Sequence, residues 1–74
     1  MNEQINRIES QIVNCRKTLE EITERRNEYT KLLEEVEANT PQYELLSARV
    51  ENYNRLINST ERMLQYFEES LKNL

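Results

Sequence analysis

Apolar residues recur along the first half of the chain at Ile5, Ile8, Ile12, Cys15, Leu19, Ile22, Tyr29, Leu33 and Val36, with Arg26 in the polar place. The gaps alternate three and four, the spacing of a heptad seam with a at 5, 12, 19, 26 and 33 and d at 8, 15, 22, 29 and 36. The second half repeats the pattern at Tyr43, Leu46, Val50, Tyr53, Ile57, Leu64, Phe67, Leu71 and Leu74, with Thr60 as its polar member. Here a falls at 43, 50, 57, 64 and 71, and d at 46, 53, 60, 67 and 74. A seam continued from Val36 would next use Thr40, Tyr43 and Ser47, so the phase breaks at the middle and one unbroken rod is disfavoured.

The break coincides with stop and start chemistry in Glu37-Ala38-Asn39-Thr40-Pro41-Gln42. Asn39 can take the left-handed conformation that ends helices. Thr40 precedes a proline, which pushes it out of helical geometry and frees its hydroxyl to cap the next helix. Pro41 suits the first helical position, and Glu44 suits the positive end of the helix dipole. The fold class predicted is all-α, a two-helix antiparallel coiled-coil hairpin forming a single domain over 1–74. Helix one covers about 2–38, the turn 38–41, and helix two about 41–73. Each arm should run about 50 Å. Folding at the turn sets Val36 against Tyr43, Leu33 against Leu46, Ile22 against Ile57, Ile12 against Phe67 and Ile5 against Leu74. Arg26 then meets Tyr53, where its stem should pack inward and its guanidinium stack on the ring.

Composition narrows the function classes. Glycine is absent and proline occurs once, against the needs of a fold with several turns. The net charge is −4, with acids and bases both spread along the chain, so no basic stripe is available to track a phosphate backbone and nucleic-acid binding is disfavoured. No apolar run approaches the roughly 20 residues of a bilayer span. Met1-Asn2-Glu3-Gln4 is polar rather than signal-like, so a cytoplasmic location is expected. With one cysteine and no histidine, neither an internal disulfide nor a structural zinc site is expected, and no cofactor is implied. Cys15 reads as a small seam filler. Asn58-Ser59-Thr60 matches a glycosylation triplet but falls mid-helix, with Thr60 in the seam. The glutamates read as solvated faces rather than acid–base pairs, because a two-helix hairpin offers no water-poor pocket. An enzyme is not expected. The pairs Glu3–Arg7, Glu21–Arg25, Glu51–Arg55 and Glu68–Lys72 are spaced to support their helices.

The informative excess lies beside the seam. Leu56 and Met63 occupy g positions and Tyr66 a c position, so they share one shoulder of helix two, among Ser59 and Ser70. Helix one brings Gln4, Gln11, Thr18, Arg25 and Leu32 to that side. The opposite, e-row side carries Glu9, Arg16, Glu37, Glu61 and Glu68. Leu56, Met63 and Tyr66 are therefore the candidate partner-binding residues, of types favoured at interfaces. Leu45 and Val13 read as isolated extras. A lone two-helix hairpin buries little, so a partner or self-association is expected to stabilise it.

From Leu33 to Phe67 the chain resembles the small cytosolic E component of type III secretion needle assembly, the co-chaperone family of the YscE, EscE and SsaE type. The matching stretches are Leu33-Glu34-Glu35 before the turn, Pro41-Gln42-Tyr43-Glu44-Leu45-Leu46 after it, the Val50 to Ile57 seam and the aromatic pair Tyr66-Phe67. Family members often carry a glycine just before the proline; this chain has Ala38-Asn39 in that region. The resemblance implies a cytosolic, non-catalytic protein. Its partners would be a helical-repeat chaperone and, through it, a needle subunit held unpolymerised. Two alternatives stand beside it. One is a secreted needle-like subunit. The other is a self-associating hairpin, a homodimeric four-helix bundle with a structural or inhibitory role.

Overall fold

The computed structural model describes residues 2–74 and consists of two helices, α1 (Asn2–Glu35) and α2 (Pro41–Lys72), folded back on each other as a hairpin. The body measures 56 × 14 × 13 Å, a rod one helix pair thick. Its length matches the rise of about 50 Å expected for each arm.

The heptad seam is the contact. Ile12, Cys15 and Ile57 are buried, and the remaining seam residues are half-buried except for Ile5 and Leu74. Those two lie at the open end, 37% and 57% exposed, so the expected Ile5–Leu74 layer does not close. Leu74 also lies beyond the end of α2. Thr60, the polar seam member of α2, is half-buried. Among the described residues, no side chain is completely excluded from solvent. This follows from the architecture, since each seam residue has a neighbour across the seam and none above it.

The turn is longer than expected, because α1 ends at Glu35 rather than near residue 38. The Val36 N–H donates to the Leu33 carbonyl at 3.3 Å, a tightened last turn, and the chain then leaves the helix axis. Axes of packed helices lie about 8–10 Å apart, and Val36–Thr40 supplies the chain that spans the gap. Asn39 adopts a left-handed backbone with φ 70°, one that asparagine tolerates better than most residues. Thr40 is extended at φ −105°, ψ 155°, as its proline neighbour requires. Its hydroxyl accepts from the Tyr43 N–H at 3.2 Å and donates to the Glu37 carbonyl at 2.8 Å. One oxygen thus caps α2 and ties it to the chain leaving α1.

Arg26 does not stack on Tyr53. Its Nη1 donates to Asn54 Oδ1 at 3.1 Å and its Nε to Asn27 Oδ1 at 3.2 Å. Tyr53 instead stacks on Tyr29, with ring centroids 5.7 Å apart. Arg49 lies over the other partner of that stack, 5.5 Å from the Tyr29 centroid. A guanidinium is a planar donor set that gains more from amide oxygens than from a ring already occupied.

Candidate functional site

The two long sides of the hairpin differ. On the e-row side, Arg16 Nη2 meets Glu68 Oε2 at 3.1 Å across the helices, and the Arg26–Asn54 hydrogen bond lies on the same side. Thr23, Thr30, Ser47, Asn54 and Glu68 are half-buried there, so small and polar side chains line much of this edge. Beside the Arg16–Glu68 pair it also holds a groove of about 380 Å³ that reaches Ile12, Val13 and Leu71. Glu68 takes Arg16 rather than Lys72. Among the described residues, none of the four expected intrahelical pairs forms an ion pair. Exposed pairs of this kind gain little over hydration, so side-chain freedom decides against them.

The other side is open and apolar. Leu56, Met63 and Tyr66 are 50%, 52% and 67% exposed, and the 3.5-residue period of the heptad sets them along one edge of α2. The Tyr66 ring meets the Phe67 ring edge to face at 5.6 Å, and Ser70 Oγ donates to the Tyr66 carbonyl at 2.9 Å. The phenol therefore rests against the seam residue Phe67 and stays largely exposed. Neither Leu56 nor Met63 is drawn into the core.

Leu45 is not the isolated residue that spacing along the chain made it. It shares a groove of about 420 Å³ near the turn with Leu32 of α1, Val36 and Leu46, rimmed by Glu35 and Gln42. Leu32 and Leu45 remain 47% and 57% exposed within it. A second, smaller groove of about 220 Å³ lies between Arg49, Asn52, Tyr53 and Leu56 on the same edge. Of the other exposed large apolar residues, Ile5 and Leu74 belong to the open end and Val13 lies on α1 away from this shoulder. The signal that could have found Leu45 was its c position on α2, the row that also holds Tyr66.

Chemically, this surface can exclude water from another apolar surface. Among the described residues no group of three histidine, cysteine or acidic side chains could hold a metal ion, and no helix is long and apolar enough to cross a membrane. Cys15 is buried as a free thiol. No family model, no curated protein and no solved structure matches the chain.

Proposed function

We propose that the hairpin is a non-enzymatic protein-binding adaptor whose contact surface is the apolar shoulder containing Leu56, Met63 and Tyr66. The observation that carries this reading is the asymmetry between the two sides. The Arg16–Glu68 ion pair and the Arg26–Asn54 hydrogen bond cross one edge, while Leu32, Leu45, Leu56, Met63 and Tyr66 stand exposed along the other, where Arg49 donates to the Tyr29 hydroxyl. Contiguous exposed apolar surface on a small protein marks interaction sites. Such a partner would also supply burial that the thin core lacks.

The resemblance to the type III secretion E component gives this adaptor a specific form. It would be a cytoplasmic co-chaperone that docks on a helical-repeat chaperone and helps keep a needle subunit unpolymerised. The shared layout of seam, proline-started second helix and aromatic end supports that form. The test has two steps. A partner captured by the intact chain from its native host is identified and reconstituted pairwise with purified protein. The Leu56→Glu, Met63→Glu double variant, at two exposed positions, should keep its helicity and lose the partner. Undiminished binding by that variant would exclude the shoulder as the contact.

A homodimeric four-helix bundle is the second reading, favoured by a core in which, among the described residues, only Ile12, Cys15 and Ile57 are buried. Sedimentation of the pure chain separates the two: the adaptor reading expects a monomer of 9.0 kDa.

A further inference from the structure

Helix α2 carries a second seam. From Gln42 to Ser70, residues at alternating intervals of three and four lie on the shoulder, all exposed but the half-buried Ser70, and Arg49 alone among them is charged. The stripe includes Leu45, Asn52, Leu56, Ser59, Met63 and Tyr66, all exposed. Its spacing is that of the core seam, shifted round the helix. Its apolar members, Leu45, Leu56, Met63 and Tyr66, lie on one line along α2 with polar residues between them, a line that another helix can follow. At 1.5 Å per residue, Leu45 to Tyr66 spans roughly 30 Å.

The edges of the stripe say what charge such a helix should carry. Along its outer margin stand Ala48, Arg55, Arg62 and Glu69, three or more turns without an acid before Glu69. Arg49 sits within the stripe itself, its guanidinium over Tyr29 and in reach of the Tyr29 hydroxyl at 3.4 Å. The inner margin is the hairpin's own core, with Leu46, Tyr53, Thr60 and Phe67. A second copy laid antiparallel over the middle of the stripe would bring Arg55 close to Arg62 of that copy, a like-charge meeting.

We infer that this second seam receives one amphipathic α-helix of a partner protein, apolar along its own a and d positions and acidic on the flank that meets Arg55 and Arg62. The inference rests on the adaptor reading and adds the shape and charge of what is bound. The partner helix lies as a third strand along α2, with Ser59 and Asn52 giving close approach between the apolar anchors. Its acidic flank sets orientation and excludes basic helices.

The probes are two synthetic helical peptides, each about four heptads long, with one leucine and isoleucine seam. One carries glutamate at the flanking positions and the other lysine. Binding to the full chain is followed by calorimetry at low and high salt. The acidic peptide should bind one to one, weaken with salt, and exceed the basic peptide by about tenfold, the scale of a few rim ion pairs. Arg55→Glu with Arg62→Glu should reverse the preference. Leu45→Glu with Met63→Glu should abolish binding of both, with helicity retained. Failure of both peptides to bind, equal binding of the two, or an unreversed preference overturns the inference, as does a free chain that sediments at twice its mass and loses that mass in the Leu45→Glu, Met63→Glu variant. Loss of the native partner by the Leu56→Glu, Met63→Glu variant alongside equal peptide binding would leave the adaptor reading standing and remove only the acidic helix.

Discussion

Removing the Thr40 hydroxyl should loosen the whole hairpin, because the start of α2 and the chain leaving α1 meet on that atom. Thr40→Val keeps the side-chain shape and the extended backbone preference and removes only the oxygen. The Tyr43 N–H would then lose its acceptor at 3.2 Å, and the Glu37 carbonyl its donor at 2.8 Å. An N-cap threonine contributes about 1 kcal/mol. The Glu37 carbonyl lies at an exposed site where water can replace the hydroxyl, so its loss adds only a few tenths of a kcal/mol. The expected sum is about 1–1.5 kcal/mol, or roughly 5–10 °C in melting temperature for a domain this small. Thr40→Ser keeps the oxygen and should stay within about 0.5 kcal/mol of the parent. Urea unfolding followed by far-ultraviolet circular dichroism, at one fixed protein concentration, gives both values, and the slope against urea should not change. A valine variant as stable as the parent, or a serine variant as damaged as the valine one, would refute the argument.

Other expectations follow from the same geometry. Arg26→Leu replaces a half-buried cation with an apolar seam residue; it should raise stability by about 1 kcal/mol while permitting shifted pairing of the helices, read as a higher urea midpoint with broadened amide resonances. Arg16→Ala breaks an exposed ion pair and should change the unfolding free energy from urea titration by less than about 0.5 kcal/mol. Cys15, buried in the seam, should resist a thiol reagent in the folded protein and react fully in urea, and equal rates in the two states would contradict its position. The free chain should melt low unless it self-associates, so a monomer stable above about 80 °C would remove the energetic case for a partner.

The long periodic elements were legible because sterics leave a three-four apolar spacing few other solutions. The turn was legible because Asn39, Thr40 and Pro41 each restrict the backbone in a different way, and each takes the conformation its chemistry favours. What spacing could not supply was relative placement. The end of α1 at Glu35 depends on the gap the chain must cross, a distance between helices rather than a property of residues 36–38. Arg26 chose Asn54 over Tyr53 because Tyr29 already held that ring, which pairing by heptad letter does not reveal. Leu45 looked solitary along the chain because its groove is completed by Leu32 from the other arm. Leu56, Met63 and Tyr66 fell on one exposed edge as their letters required, since heptad position fixes direction even where it does not fix neighbours.

The turn is the sole covalent joint between the arms, and Ile5 and Leu74 lie together at the far end without closing a layer. Tension applied at that end would therefore peel the arms apart one layer at a time instead of shearing all layers at once. Such a molecule yields at low force when the two arms are drawn apart at the open end, and it recloses from the Thr40 joint outward.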